Sequence, residues 1–339
     1  MTILLILLAC VCGWGMKFGY CPDFLSPMNT LSIKGFFVFL VFFSHIQGYL
    51  SLSDSLLNNI YFSLQNHLGQ LIVAMFLFYS GYGIWISFKQ KTNYTQGFFK
   101  RRILKTLLHF DLIVAVFIIV QLLLQKVFPF RNYLLCWVGW ESVGNSNWFI
   151  FDILILYIIA RTAMHCQTEF GQGGICITIL LTACFWLFLR KAGKESWWVD
   201  TLAAFPLGML IADHSALLKN LLAKKGMPDL LTGLSLLTFV FSYKILGGVD
   251  VFGFTTCTFC LLVVMLSSWI KIGNPILNWA GKNVFTVYML QRLPMLVFAS
   301  VGINRNPVLF VIVSCCLTFV LAEFFSRFLK LVDQKLFNA

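Results

Sequence analysis

Two residues of one apolar segment, Lys34 and His45, have side chains that could do chemistry together. They are eleven positions apart, which on an α-helix is three turns plus about 20°, so both lie on one face. At a rise of about 1.5 Å per residue, they are separated by about 16 Å along the helix axis. The lysine can bind an anion, and the histidine can change its protonation state near neutral pH. The same spacing also fits a lysine that extends to the membrane surface and a histidine bonded to a neighbouring helix.

Other ionisable residues also fall inside apolar segments, where a charge at mid-span costs roughly 2.5–3.5 kcal/mol on insertion scales. They are His109, Asp111, Asp152, Arg292 and Glu323. We expect His109 and Asp111 to have structural roles. Asp152 could orient His45 if their two helices touch. Arg292 and Glu323, on late adjacent segments, could form a buried ion pair.

The elements that position these residues are predicted to be membrane-spanning helices. The chain has 339 residues, of which 59% are hydrophobic and only 11% charged, whereas soluble domains average about 25% charged residues. A span needs about 20 mostly apolar residues, and the continuous apolar runs exclude the alternating pattern of a β-barrel. We predict an all-α bundle of 10–11 spans with no sizeable soluble domain. The runs are centred on residues 3–20, 35–52, 67–88, 107–127, 148–165, 175–190, 201–217, 230–247, 251–270, 283–302 and 308–325.

The distribution of basic residues predicts how the bundle is oriented, because Lys and Arg favour cytoplasmic loops. Alternate loops of the eleven-span arrangement carry 17 and 7 basic residues, and Arg292 lies within a span. We therefore expect the larger set and the C-terminus to be cytoplasmic and the N-terminus to be outside. The first run has no basic residue before Lys17, unlike a signal peptide. Residues 1–27 are therefore predicted to be an extra transmembrane helix before a domain at 28–339.

Several function classes are not favoured by the sequence. The net charge of +12 comes mostly from the basic residues of the loops that are predicted to be cytoplasmic. No basic stretch is long enough for a nucleic-acid domain. Most of the 11 cysteines lie in apolar runs, where a free thiol behaves as a small hydrophobe, and we expect no metal site. Five outward tryptophans are interpreted as an interfacial belt, with segment 129–147 as the best sugar-facing candidate. These are Trp137, Trp140, Trp148, Trp197 and Trp198.

Five motifs in order resemble the acyltransferase-3 family, whose members modify cell-surface glycans and lipids. Lys34 and His45 resemble its Arg-x10-His motif, and residues 76–82 resemble its Phe-Phe-x-x-Ser-Gly-Phe/Tyr stretch. Residues 99–105, 148–150 and 281–291 resemble its basic loop, its Trp-Phe-Leu element and its late Gly-x-x-Ser-x-x-Ile-Tyr-Leu-x-His segment. Lys34 stands where the family has Arg, and Gln291 stands where many members have His.

The resemblance implies a membrane acyltransferase that moves an acyl group, expected to be acetyl, from cytoplasmic acyl-CoA to a saccharide or saccharide-lipid hydroxyl outside. His45 would act as general base or as acyl carrier, a choice the spacing leaves open. The CoA phosphates would be bound by basic side chains. No cofactor would be bound permanently, and the partners would be membrane lipid, acyl-CoA and the acceptor. The donor-binding candidates are Lys34, Arg101, Arg102 and Lys105, and the orienting candidates are Ser80, Asp152, Tyr288 and Gln291.

Two other function classes remain open. A transporter or flippase for a polar solute or lipid-linked sugar would have paired, broken spans in two related halves. The sequence shows no such repeat, although Pro206 and Pro294 interrupt spans. A non-catalytic membrane scaffold is the third possibility.

Overall fold

The computed structural model describes residues 2–51, 56–244 and 252–337, and these residues are almost entirely helical. The described strands are β1 (Lys17–Phe18) and β2 (Ile270–Lys271), which pair antiparallel. The helices are α1 (Thr2–Gly13), α2 (Pro27–Gln47), α3 (Leu56–Leu68), α4 (Leu71–Gln90), α5 (Lys105–Leu123), α6 (Phe130–Leu135), α7 (Trp148–Phe170), α8 (Gly174–Lys191), α9 (Ser196–Val199), α10 (Ala204–Asp213), α11 (Ser215–Leu222), α12 (Met227–Lys244), α13 (Phe252–Ser267), α14 (Pro275–Lys282), α15 (Val284–Leu290), α16 (Arg292–Ser300) and α17 (Pro307–Leu336). A π-helical turn, Phe99–Leu104, precedes α5.

The predicted all-α membrane bundle is confirmed. In the described ranges, six helical runs are long and apolar enough to cross a membrane, and a seventh is possible where two runs meet at a 72° bend. The six are Pro27–Gln47, Leu71–Gln90, Phe99–Leu123, Trp148–Phe170, Gly174–Lys191 and Pro307–Leu336. The bent pair is Ser196–Asp213 with Ser215–Leu222. Several other apolar runs of the sequence are divided into shorter helices, among them α15 and α16, which meet at Gln291.

Helix α2 is largely buried and carries both Lys34 and His45. It begins after Ser26, whose hydroxyl accepts a hydrogen bond from the Asn29 amide at 3.4 Å, and Pro27 occupies its first turn. A polar N-cap followed by proline is a strong start signal for a helix. The apolar side chains between Phe37 and Phe43 are buried, so the helix is surrounded by protein along most of its length.

Glycines allow two pairs of helices to approach closely. A Cβ atom on Gly35 of α2 would overlap the Leu277 carbonyl of α14, and one on Gly281 would overlap the Leu31 carbonyl. Gly81 of α4 and Gly208 of α10 meet in the same reciprocal way through the carbonyls of Phe205 and Phe78. Small residues at helix contacts are typical of packing in lipid, where van der Waals contact replaces the hydrophobic effect. Gly81 and Gly281 belong to the motifs at residues 76–82 and 281–291, and close helix packing explains why glycine occupies both positions.

The N-terminal segment packs on the bundle near β2. The side-chain amide of Asn274 donates to the carbonyl of Val11 at 2.7 Å, and β1 pairs with β2. The described part of the first helix has 12 residues, about 18 Å at a rise of about 1.5 Å per residue. An extra transmembrane helix within residues 1–27, before a domain at 28–339, stays a prediction.

Candidate functional site

One end of the bundle holds a polar cavity of about 380 Å³. It is formed where the last turn of α2, the start of α4, the segment before α7 and the turn before α9 converge. Its wall combines His45 and Arg292 with several aromatic and amide side chains. The lining residues are His45, Gln70, Trp140, Glu141, Ser142, Asn145, Ser146, Asn147, Trp148, Lys194, Glu195, Trp197, Trp198 and Arg292. We call this space the outer cavity, since it lies on the side that the charge distribution predicts to be outside.

His45 is half-buried in the wall of the outer cavity. Its Nδ1 atom is buried without a hydrogen-bond partner, which leaves Nε2 as the ring nitrogen open to the cavity. The imidazole ring lies 6.1 Å from the Tyr288 ring, measured between centroids. His45 therefore lines a polar cavity instead of facing lipid, which is the arrangement that a chemical role requires.

Two further cavities lie toward the other end of α2, and both contain Lys34. The first, of about 350 Å³, includes Thr30, Tyr82 and Lys219 in its lining. The second, of about 440 Å³, includes Arg102 and Tyr288. Their shared wall is formed by Lys34, Tyr79 and Gly83. We call them the first and second inner cavities.

Lys34 has no ion pair or hydrogen bond within residues 2–51, 56–244 and 252–337, although it is partly buried. A partly desolvated ammonium group without a counter-charge favours an anion at that position. Thus the cation predicted at this end of the helix is available for a ligand.

Aromatic rings separate the second inner cavity from the outer cavity. Phe149 and Tyr288 both line the inner side, and their ring centroids are 5.4 Å apart. The Tyr288 ring in turn faces His45 across 6.1 Å. Its hydroxyl is buried. Tyr288 is thus the side chain at which the inner and outer cavities approach each other.

The three basic candidates of the π-helical turn and the start of α5 have different environments. Arg102 lines the second inner cavity, and its guanidinium lies 3.4 Å from the Tyr94 hydroxyl. Arg101 instead donates to the carbonyls of Tyr94 and Gln96, at 3.0 and 2.7 Å. Lys105 forms a 2.7 Å ion pair with Asp333 of α17. The structure therefore places Arg102, and neither of its two neighbours, beside Lys34.

The fold brings three of the four orienting candidates close together. Ser80 and Tyr288 both line the second inner cavity. Gln291 is fully buried, and its amide donates to the Tyr288 carbonyl at 3.0 Å. Asp152 is fully buried with both carboxyl oxygens unpartnered. Asp152 makes no hydrogen bond to His45, so the structure provides no direct orienting contact between these two side chains.

Arg292 is the site residue whose place the sequence did not predict. The expected ion pair with Glu323 is wrong, because Glu323 accepts hydrogen bonds from Arg327 at 2.8 Å and from the Trp279 indole at 2.9 Å. Arg292 instead lines the outer cavity with His45. The position of Arg292 inside an apolar segment indicates a functional role. The order of the segments along the chain does not indicate which side chain it faces.

The tryptophans of the outer side surround the cavity. Of the five interpreted as an interfacial belt, all except Trp137 line it. The Lys194 ammonium lies 4.0 and 4.3 Å from the ring centroids of Trp140 and Trp198 and donates to the Trp140 carbonyl at 2.8 Å. Burial lowers the pKa of Lys194 from its ordinary value, while the carboxylates of Glu141 and Glu195 oppose that shift. These cation–π contacts fix the aromatic wall.

Comparison with known proteins gives one family match. A family model for acyltransferase-3, described as an acyltransferase domain, matches residues 32–327. The matched range runs from α2 to α17 and contains Lys34, His45, Arg102 and Arg292. No curated protein matches the chain, and no solved structure does.

Proposed function

This chain belongs to the acyltransferase-3 family, and on that premise we propose which acyl group it transfers and where. The donor is acyl-CoA, expected to be acetyl-CoA, bound from the cytoplasm. The acceptor is a hydroxyl of a cell-surface saccharide or saccharide-lipid on the outer face of the cell membrane. The N-terminus lies outside and the C-terminus inside, as the excess of basic residues on one set of loops favours.

The observation that carries this proposal is the order of the three cavities along α2. Lys34 lines both inner cavities, and His45 lines the outer one. A reaction whose donor is inside and whose acceptor is outside needs such a path, since a thioester in the inner cavities has to reach a group that also contacts the acceptor. Tyr288 lies between the second inner cavity and the outer cavity.

The donor end has the charge that CoA requires. Lys34 and Arg102 line the same inner cavity, and ammonium and guanidinium groups form strong charge-assisted hydrogen bonds with phosphate. Lysine lacks the planar fork by which arginine binds phosphate in two places. We propose that Arg102 supplies that two-point contact, and that Lys34 supplies a single charge deeper along the path.

The transfer step follows from the open Nε2 atom of His45. As a general base, Nε2 accepts the proton of the acceptor hydroxyl while the hydroxyl oxygen attacks the thioester carbonyl carbon. The carbon–sulfur bond then breaks, and the CoA sulfur leaves with a proton returned from the imidazolium. As an acyl carrier, Nε2 attacks the carbonyl carbon first, the carbon–sulfur bond breaks and the CoA thiolate leaves. The hydroxyl oxygen then attacks the acyl-imidazole, the carbon–nitrogen bond breaks to restore the imidazole, and the hydroxyl proton neutralises the thiolate. In both routes the products are the ester and CoA-SH.

Arg292 lines the outer cavity with His45, and a guanidinium there can stabilise the negative carbonyl oxygen that develops in either route. The four tryptophans provide large apolar faces beside the amide groups of Asn145 and Asn147. Binding sites of this kind combine aromatic walls with a few polar groups that fix orientation. This wall is the proposed contact for the acceptor saccharide.

Purified protein supplied with labelled acetyl-CoA and extracted surface glycan tests the proposal. We expect label to appear on the glycan, and His45→Ala to reduce the rate by about 10²–10⁴, the range for loss of a positioned base. His165→Ala removes a histidine with a 66% exposed side chain on α7 and should keep the rate. No transfer by the wild type, or equal transfer by the His45 variant, would overturn the catalytic assignment.

The transporter alternative has one observation in its favour, since cavities on both sides of Tyr288 also suit a solute path. The same assay separates the two functions. A transporter would move acetyl-CoA or a sugar across the bilayer unchanged, whereas an acyltransferase releases CoA-SH in proportion to the ester formed.

A further inference from the structure

A separate cavity of about 510 Å³ lies on the side of the bundle, between the α14–α15 region and the final turns of α17. It contains three basic side chains, Lys282, Arg327 and Lys330. None of these three lines the inner cavities assigned to the donor. The proposed reaction therefore gives this group of charges no role.

The acidic residues of this cavity are already paired. Glu323 accepts hydrogen bonds from Arg327 and Trp279 at 2.8 and 2.9 Å. Asp333 contacts Lys105 at 2.7 Å and His109 at 2.8 Å. Across the part of the chain that the structure describes, Lys282 and Lys330 have no ion pair. The ammonium groups of Lys282 and Lys330 are therefore two positive charges without a counter-charge in one cavity.

Hydroxyl and amide groups form the inner wall between these lysines. The Ser326 hydroxyl donates to the side-chain oxygen of Asn283 at 2.7 Å, and it lies 2.9 Å from the Thr286 hydroxyl. These hydroxyl protons are used within the wall, since Thr286 donates to the Asn283 carbonyl at 3.0 Å. The lysine ammonium groups therefore supply the free donors of the cavity, and ammonium groups suit phosphate oxygens.

The length of α17 sets the depth of the cavity in the bilayer. Its 30 residues extend about 45 Å at a rise of about 1.5 Å per residue, whereas the hydrocarbon core is about 30 Å thick, or about 20 residues. Counting from Pro307, the helix leaves the core near Ser326, so that Arg327, Lys330 and Asp333 lie at headgroup level. A tryptophan at this depth, here Trp279, is typical of the interface.

The outward face beside the cavity is apolar. Phe324 and Phe328, on the adjoining turns of α17, are 69% and 39% exposed. An acyl chain can lie against these rings while its headgroup reaches the lysines. Basic pockets between helices on the cytoplasmic side are known binding sites for anionic lipid headgroups.

We propose that this cavity binds the phosphate headgroup of an anionic phospholipid of the cytoplasmic leaflet, with Lys282 and Lys330 as its counter-charges. Arg327 remains paired with Glu323, and this ion pair forms part of the cavity wall between Lys282 and Lys330. The exposed rings of Phe324 and Phe328 beside the site, and the headgroup depth that the length of α17 gives it, favour a lipid over a phosphate group from solution. This binding does not depend on the proposed transfer reaction.

Native mass spectrometry of the purified protein, released from nanodiscs, tests the proposal. Nanodiscs with equal amounts of phosphatidylglycerol and phosphatidylcholine supply the two probes. We expect the wild type to retain one phosphatidylglycerol preferentially, and Lys282→Gln with Lys330→Gln to reduce that occupancy at least tenfold. Lys282→Arg with Lys330→Arg keeps both charges and should retain the lipid, which separates charge loss from misfolding.

The matched control is Lys224→Gln with Lys225→Gln, which removes two exposed charges from the turn before α12. We expect this control to keep the wild-type occupancy. An equal loss in the control, no preference for phosphatidylglycerol, or no loss in the Lys282/Lys330 variant would overturn the proposal. Displacement of the lipid by inorganic phosphate or CoA would show that the site takes phosphate from solution, and would overturn it also.

Discussion

Lys34 and His45 lie on one helix and open into different cavities, Lys34 into the two inner cavities and His45 into the outer one. Their separation of about 16 Å along the helix axis is the distance over which donor and acceptor chemistry would be connected. The aromatic pair Phe149 and Tyr288 lies between them, with 5.4 Å between ring centroids.

Loss of the charge at Lys34 should weaken donor binding. Lys34→Ala is expected to raise the KM for acetyl-CoA by roughly 10- to 100-fold, since a hydrogen bond to a charged group contributes about 1.5–3 kcal/mol. Lys34→Arg keeps the charge and should retain or raise activity. Initial rates measured over a range of donor concentrations check both. A donor KM that is unchanged in Lys34→Ala would remove Lys34 from the donor site.

Arg101 and Arg102 offer a comparison between neighbours. Arg102 lines the second inner cavity, whereas Arg101 is bonded to two loop carbonyls. Arg102→Gln should therefore raise the donor KM about tenfold or more. Arg101→Gln should lower the thermal unfolding midpoint with little effect on KM. If Arg101→Gln raises the KM as much as Arg102→Gln does, the donor position proposed here is wrong.

Arg292 is predicted to stabilise the transition state in the outer cavity. Arg292→Gln is expected to reduce kcat by about 10²-fold, the lower end for loss of a group that stabilises a developing oxyanion. The KM for acetyl-CoA should change little, because Arg292 does not line either inner cavity. Arg292→Lys keeps the charge and should recover part of kcat. A rise in donor KM with unchanged kcat would contradict this role.

Gly81 is predicted to be required for packing between α4 and α10. In Gly81→Ala the new methyl group would overlap the Phe205 carbonyl, and overpacking of this kind costs about 1–3 kcal/mol. Gly83→Ala is the control on the same helix, since its Cβ would meet no atom within 4 Å. Thermal unfolding in detergent, followed by size-exclusion chromatography, should show a lower midpoint for Gly81→Ala alone. Equal midpoints would show that the helices can move apart at no cost.

The sequence was sufficient to predict the helical membrane bundle, because long apolar runs leave few other structures possible in lipid. It also predicted that Lys34 and His45 share a helix, since helical periodicity relates residues three turns apart. Contacts between distant segments were not predictable in this way. Lys105 pairs with Asp333, 228 positions later, and this contact depends on which helices pack together, which periodicity does not encode. Glu323 and Arg327 are four positions apart on α17, a spacing at which side chains on a helix face each other. Periodicity was therefore sufficient to predict that pair, and Arg292 was the wrong partner because it was chosen from the order of the segments.

For the outer cavity, too, the sequence predicted the local segment but not the contacts between distant residues. The sequence identified segment 129–147 as the sugar-facing candidate, and residues 140–147 contribute to the cavity wall. It did not reveal that Lys194 lies against Trp140, 54 positions earlier in the chain, as well as against the nearby Trp198. A tryptophan near a span end fits an interfacial belt equally well. Only the packing of α7 and α9 against each other brings these rings to one cavity.

The most direct test supplies donor and acceptor on opposite faces of the membrane. In proteoliposomes selected for one orientation, labelled acetyl-CoA is added on the face near Lys34, and extracted surface glycan is enclosed on the face near His45. We expect label on the enclosed glycan and CoA-SH on the donor face, and we expect His45→Ala to reduce the label by about 10² or more. His165→Ala should transfer label as the wild type does. Transfer that requires both substrates on one face, or that persists in His45→Ala, would show that the acyl group does not cross the membrane by way of His45.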